Sequence, residues 1–385
     1  MNNIYVMDCF EEVETISKHE GYFYKVSDVI KIVILGSLCG LKNMKRIFQW
    51  ANDAKVRDYL KEKFEIERIP CYYWMIKLLG IVKPESLSEC FTRWVSGFMP
   101  EYRGKDNSSE RNDTTVSVDG KTIRSTGKMG KTKNNPLHIV SAQLTEIGLT
   151  FGQRAVDSKS NEIPAAQKLL RELDIRGCLV VADALNCQEE TARIIIEGEA
   201  DYLLCAKDNQ EKTKEAVKEN IHDEKNKGIT DTATSSEKNH GRNETRTAYT
   251  IPYNTLNIDG ILNQKWQNIA CIGAICREVE INGNKSEEWH YYISSRILTA
   301  QELLRRARME WAVETMHWIL DVDFGEDSCR IEDRNIQQSL NTFRKISLNI
   351  IKLFKRNTAS KTSITEIMFS CLMNPYNLEK VISGN

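Results

Sequence analysis

Three carboxylates stand where oxygen-based phosphate chemistry would need them. Asp119 closes the alternating stretch TTVSV, Asp183 closes the unbroken apolar run CLVVA, and Glu314 lies in the long amphipathic stretch that begins at Leu303. An aspartate at a strand end is, taken singly, a turn or capping residue. Together the three suit a pair of hard divalent cations, Mg2+ or Mn2+, which prefer a few carboxylates plus water and substrate phosphate. Two such ions about 4 Å apart activate an attacking oxygen and stabilise a leaving one in phosphodiester cleavage. The intervals are uneven, 64 residues (183−119) and 131 (314−183), so a large segment is inserted before the glutamate.

Such residues need a scaffold. TTVSVDGKTI reads as a strand ending near Asp119-Gly120, followed by candidate strands at residues 138–144 and 149–156. Residues 161–173 and 188–198 carry helix-period apolar residues. They alternate with the buried strands of residues 177–183 and 201–206, which predicts an α/β sheet with a parallel portion. Ligands gather at the carboxyl ends of such strands, where Asp119, Asp183 and Lys207 fall. Residues 247–294 read as β-rich, and residues 222–246 as a polar stretch before them. The stretch from Leu303 reads as one long helix followed by an acidic turn, with Glu310, Glu314, His317 and Asp321 toward one side. Residues 8–98 read as helical, with helices expected over 26–41, 44–57 and 85–98.

The expected division is a helical domain over residues 1–100 and a polar linker over 101–113. The first part of the core follows over 114–220, a β-rich insertion over 221–295, and the rest of the core with basic helices over 296–385. The fold class is thus α/β: a mixed sheet flanked by helices, with a β-rich insertion and an all-α N-terminal domain. The longest apolar run, residues 32–41, falls far short of the roughly 20 residues a membrane span needs. The acidic start lacks a signal-peptide pattern, so a cytoplasmic, nucleoid-associated protein is expected, with no membrane partner. The eleven cysteines are scattered without a CxxC pair, which reads as buried thiols in a reducing compartment rather than a zinc scaffold.

The net charge of −1 argues weakly against a general nucleic-acid coat protein, so basic residues matter by where they cluster. Candidates for phosphate contact are Lys121, Arg124, Lys128 and Lys131 around a glycine- and asparagine-rich loop, and Lys207, Asn209 and Gln210 after the last core strand. Arg242 and Arg246 belong to HGRNETR, and Arg308 and Arg330 flank the glutamate. Arg344, Lys345 and Lys352 lie in a run from residue 334 to 365 that has no acid and reads as a helix with one packed face and a basic remainder.

Many ordered motifs then carry a resemblance over nearly the whole chain. They are SVDGKTIRS, KSNEIPA, ADALNCQ, DYLLCAKDNQ, HGRNETR, YYISS and MHWILDVDFGEDSCRI, with IPCYYWMIKLL in the helical start. The sequence resembles the DDE transposases of the bacterial insertion-sequence group that includes the H-repeat-associated proteins of Rhs elements. The resemblance implies an RNase H-like core with Asp119, Asp183 and Glu314 as its catalytic triad, holding two Mg2+ ions. It implies double-stranded DNA as partner, both element ends and target, and a homodimer in the DNA complex. Water would cut at the element end, and the freed 3′-hydroxyl would attack target DNA.

The chain departs from the group's pattern at Glu310 and Thr315 beside the glutamate, at Asp208 after Lys207, and at Asp321 where a basic residue is usual. Glu310 and Asp208 are expected to add negative charge along the DNA path. Two other readings share the fold: a transposase-derived DNA-binding protein without catalysis, and an RNase H-like nuclease without strand transfer.

Overall fold

The computed structural model describes residues 5–17, 23–98, 114–128, 130–157, 161–223, 226–239, 242–256, 261–281, 283–309 and 311–384. The linker expected over 101–113 lies outside them.

Among the described residues, a short helical segment over Tyr5–Asp8 and Cys9–Glu12 is followed by five helices before the first strand: α1 (Val26–Leu38), α2 (Met44–Ala51), α3 (Ala54–Phe64), α4 (Tyr72–Gly80) and α5 (Pro84–Ser96). The helix expected over 44–57 is two. Asp53 is extended and its carboxylate accepts from the Lys55 backbone N–H, so it ends one helix and caps the next. α1 is predominantly apolar and, Asp28 apart, buried along its length, as an enclosed helix must be. Its one lysine, Lys31, reaches Glu11 at 2.6 Å.

Nine strands follow in a single mixed sheet: β1 (Thr115–Ile123), β2 (Leu137–Leu144), β3 (Leu149–Ala155), β4 (Leu179–Ala182), β5 (Asp201–Ala206), β6 (Asp231–Asn239), β7 (Arg242–Pro252), β8 (Cys271–Ile281) and β9 (Asn284–Ser294). Their order is β3-β2-β1-β4-β5-β9-β8-β7-β6. β1, β4 and β5 run parallel, and the remaining pairs are antiparallel. The β-rich segment therefore prolongs the sheet, since β9 pairs directly with β5. β6 lies in a stretch expected to be only polar. As the edge strand it carries DTATSSEKN, whose charged and hydroxyl side chains suit an edge open to water.

Between the strands lie α6 (Glu162–Glu172), α7 (Glu189–Glu197) and α8 (Glu211–His222). After the sheet come α9 (Ala300–Met309), α10 (Trp311–Val322), α11 (Arg334–Asn357), α12 (Ile364–Met373) and α13 (Tyr376–Ser383). The long helix expected from Leu303 corresponds to α9 and α10 on either side of residue 310. Glu310, between them, lies outside the described residues. Leu303, Leu304 and Ala307 of α9 pack over Leu179, Val181, Leu203 and Cys205, while Val313, Met316 and Leu320 of α10 join the larger core.

α11 overturns a sequence expectation. Read as a basic surface helix, it is instead the central strut, packed between α1, α4 and α5 on one side and β2 and β3 on the other. Phe343, Ile346 and Ile350 are fully buried. Several polar residues are buried too, and three of them bond across to the sheet. Asn349 pairs with both the N–H and the carbonyl of Thr150, at 2.9 Å each. Thr342 accepts from Gln153 at 2.7 Å, and Lys345 donates to Ser141 Oγ at 2.7 Å. Covered on two sides, the helix encloses Arg344 and Lys345 of the expected basic run, while Arg356 and Lys361 at and beyond its end are exposed.

Candidate active site

Register brings the two aspartates together. The parallel pairing of β1 with β4 ends at Val118↔Ala182, so Asp119 and Asp183 are the next residue on each strand. β1 does not stop there. It continues beside β2 through Asp119↔Ser141 to Ile123↔Leu137. The sheet forks at Asp119, and the fork leaves room for side chains between the separating strands. Asp183 is fixed from behind: its Oδ1 accepts from the backbone N–H of Asn186 at 3.2 Å and from Asn186 Nδ2 at 3.1 Å.

α10 lies over this fork. Met316 is buried, with Thr150 Oγ1 donating to its sulfur at 2.9 Å, and that contact orients the helix. Glu314, in the first turn, is exposed. His317 places Nδ1 3.6 Å from Asp119 Oδ2. Burial, with Lys345 and Lys121 nearby, pushes the ring down to about 3, so at neutral pH it is uncharged and supports Asp119 as a neutral neighbour. Asp119 itself is pushed up to about 6. Burial is the main cause, reinforced by the like charges of Glu162, Asp183 and Glu314 and opposed by a backbone hydrogen bond.

Glu162 was not singled out from the sequence as a site residue. It opens α6 and reaches the fork from the opposite face. Its Oε2 lies 3.0 Å from His138 Nε2 and its Oε1 accepts from Asn186 Nδ2 at 3.1 Å. The motif KSNEIPA contained it, but only the fold brings it beside Asp119.

Lys121 follows Asp119 on the same face and is turned inward. Its ammonium contacts Asp321 Oδ1 at 2.6 Å and Glu326 Oε2 at 2.9 Å, and donates to the His317 carbonyl at 3.1 Å. With its side chain 14% exposed it braces α10 against β1, its ammonium turned to protein acceptors where a DNA contact was expected. Asp321, noted in the sequence as standing where a basic residue is usual, is the partner of this lysine.

The other expected phosphate contacts divide by exposure. Arg124, Lys128, Lys207 and Arg330 are exposed. Ser125 Oγ donates to the Cys329 carbonyl at 2.9 Å, so Arg124 and Arg330 emerge from adjoining turns although 206 residues separate them (330−124). The Lys131 side chain lies outside the described residues. Asn209 is exposed and donates to the Ala184 carbonyl at 2.6 Å. Gln210 is buried and donates to the Cys187 carbonyl at 2.9 Å. Asp208 is almost wholly exposed, 2.8 Å from Lys214.

Arg242 and Arg246 converge on the buried Glu244, which Arg277 also holds at 3.0 Å; they brace the β7–β8 pair. Arg308 pairs with Glu237. Arg344 and Lys345 are buried, and Lys352, pushed down to about 8 by burial, donates to the Gly148 carbonyl at 2.5 Å. Arg246, Arg344 and Lys345 are therefore enclosed by protein.

The donor set at the fork is all carboxylate oxygen, which suits hard divalent cations. Among the described residues no three carboxylate, histidine or cysteine side chains are gathered tightly enough to enclose an ion. Like charges from Glu162, Asp183 and Glu314 add to the burial that raises Asp119, and positive charge placed between the carboxylates would relieve that part.

A mixed α/β sheet flanked by helices, with acidic side chains at a strand fork, defines the class to which comparison should point. The family model described as Transposase DDE domain matches residues 110–350, and the one described as DDE_Tnp_1-associated matches residues 7–95. The chain belongs to the DDE transposase family. It is 30% identical over 370 residues to the H repeat-associated putative transposase YhhI of Escherichia coli strain K12, spanning 94% of this chain and 93% of that protein. The same identity and coverage relate it to the putative protein YbfL of that strain. A piggyBac transposase solved in a synaptic complex with hairpin DNA aligns over 97% of this chain and 79% of its own. With 11% identity and a TM-score of 0.41, that likeness carries nothing further.

Proposed function

We propose that this chain is a catalytically active DNA transposase that binds the ends of its insertion element and carries out cleavage and strand transfer. The observation that carries the reading is the register that sets Asp119 and Asp183 side by side where β1 leaves β4, with Glu314 on the helix above. Asp119, Asp183 and Glu314 would hold two Mg2+ or Mn2+ ions, which when bound supply positive charge to the attacking and leaving oxygens of a phosphodiester. The residues' own work is to fix that charge in place. His317 keeps Asp119 oriented, Asn186 keeps Asp183 oriented, and Lys121 holds α10 to β1.

In the first reaction a water oxygen attacks phosphorus at the element end and the 3′-oxygen leaves as a hydroxyl. In the second that hydroxyl attacks target DNA and displaces a target 3′-oxygen. The strands β1 to β5, in the order β3-β2-β1-β4-β5, would form the RNase H-like core. Residues 1–100 would form an associated helical domain, residues 101–113 a linker and residues 221–295 an insertion. Exposed Arg124, Lys128, Lys207, Asn209 and Arg330 would meet the double-stranded DNA backbone, and two copies would hold the two ends. No helix among the described residues is long and apolar enough to cross a membrane, and the protein would work at the nucleoid.

The test is cleavage and joining of a labelled duplex carrying the element ends, in Mg2+, by wild type and Glu314→Gln. Cleavage and joined product in the wild type, both lost in the variant, are expected. Salt-sensitive binding without cleavage in either protein would reassign the chain as a non-catalytic DNA-binding derivative, and cleavage without joining as a nuclease.

A further inference from the structure

Asn186 is 1% exposed, and its position in the site is peculiar. Its Nδ2 donates at once to Asp183 Oδ1 and to Glu162 Oε1, each at 3.1 Å. Its own Oδ1 is buried without a hydrogen-bond partner. An amide whose oxygen is held by nothing keeps its orientation only through what its nitrogen finds. Both acceptors are carboxylates, so the nitrogen is the atom that faces them. If the Glu162 acceptor were removed, the amide could turn and present its oxygen to Asp183, replacing attraction by repulsion.

Glu162 is itself held. Its side chain is 12% exposed, and its second oxygen lies 3.0 Å from His138 Nε2. His138 Nδ1 lies 2.7 Å from Thr122 Oγ1, and a ring that donates from Nε2 to the Glu162 carboxylate can accept there from the threonine hydroxyl. Gly120 admits the carboxylate: a Cβ at that position would stand 2.1 Å from Glu162 Oε2 and 2.7 Å from His138 Nε2. Thr122, His138, Glu162 and Asn186 thus form one chain of contacts ending on Asp183, and both oxygens of Glu162 are engaged within it.

We infer that Glu162 is a positioning residue of the reaction: held by His138 in space that Gly120 leaves open, it locks the Asn186 amide and thereby aims Asp183. The inference rests on the proposed function, because it assigns Asp183 a ligand role. It demands reach and acceptor geometry from residue 162 rather than charge. Glutamine keeps both, since its Oε1 can accept from Asn186 and its amide nitrogen can donate to the other tautomer of His138. Aspartate keeps the charge but is one methylene short.

The test is calorimetric titration of the full-length protein with Mn2+ in the absence of DNA, for wild type, Glu162→Gln, Glu162→Asp and Asp183→Asn, each checked for fold by near-ultraviolet circular dichroism. Partners that orient a metal's ligands change affinity by about 10–100-fold when removed. Glu162→Asp is expected to bind Mn2+ weaker by that factor, and Glu162→Gln to stay within a few-fold of wild type. The reverse order would overturn the inference and make residue 162 a source of charge. Wild-type affinity in both variants, with binding lost in Asp183→Asn, would overturn it while leaving the function intact. A wild type that binds no Mn2+ at Asp183 would overturn the function and the inference together. Should Glu162→Asp fail to fold, Asn186→Ala carries the same expectation of weakened binding, and wild-type affinity there would overturn the inference.

Discussion

The carboxylate of Glu162 occupies the space that a side chain at Gly120 would fill. A methyl group there would meet Oε2 at 2.1 Å, closer than any non-bonded contact allows. Gly120→Ala must therefore expel Glu162 or spread β1 from α6. Overpacking of this kind costs about 1–3 kcal/mol. Chemical denaturation should show a loss in that range, and DNA cleavage should fall with it. Unchanged stability and activity would mean that α6 yields without consequence.

Lys121 is clasped by Asp321 and the almost wholly buried Glu326. Removing one partner of a buried ion pair costs about 3–5 kcal/mol, because the other charge is left uncompensated. Lys121→Met should lose somewhat less than that range, since Asp321 is about a third exposed to solvent. The double variant Lys121→Met with Glu326→Gln should recover part of the loss. A double variant no more stable than the single one would refute the coupling.

Lys345 gives stability a pH dependence. It is enclosed by protein near Glu326, Lys121 and His317, donates to Ser141, and is pushed down to about 7 from an ordinary 10.5, mainly by burial. Its folded value lies below its unfolded one, so between pH 7 and 10.5 the unfolded chain holds the extra proton. Stability then rises with pH across that window. Lys345→Met should stabilise the protein at pH 7 by about 1–4 kcal/mol, as hydrophobic replacement of buried charge often does. The advantage should shrink as the pH approaches 10.5. A gain that does not vary between pH 7 and 10 would contradict the assignment.

DNA affinity should discriminate the exposed basic residues from the buried ones. The triple variant Arg124→Ala, Lys128→Ala, Arg330→Ala removes three cations. If each meets a phosphate, the slope of log affinity against log salt should become shallower by about 0.9 per contact. Lys352→Met, whose ammonium is spent on the Gly148 carbonyl, should leave that slope unchanged. Equal slopes in the triple variant and wild type would place the DNA elsewhere.

These predictions follow the division between what the chain announces and what only the fold reveals. Asp119 lies inside β1, which runs on to Ile123 beside β2, whereas Asp183 was legible as a strand end because a strand buried on both faces is a local pattern and its end is a local event. The helices of the first hundred residues were legible for the same reason, though Asp53, as a cap, cut one of them in two. Lys121 with Asp321 was not legible, for 200 residues separate them (321−121) and each looks like a surface charge. α11 misled because helical periodicity identifies one apolar face but cannot tell that a second layer covers the other. Its lysines lie inside because Ser141 and the Gly148 carbonyl meet their ammonium groups. β6 escaped because an edge strand needs no apolar face, and Glu162 because its partners His138 and Asn186 meet it only in the fold.

The central claim is that Asp119, Asp183 and Glu314 hold two divalent cations between them. Anomalous diffraction from crystals soaked in Mn2+ tests it most directly. Two Mn2+ peaks at the strand fork, about 4 Å apart and bounded by these three carboxylates, are the expected result, with both peaks lost or displaced in Asp183→Asn. A fork without Mn2+ at saturating concentration, or ions held by other residues, would contradict the account.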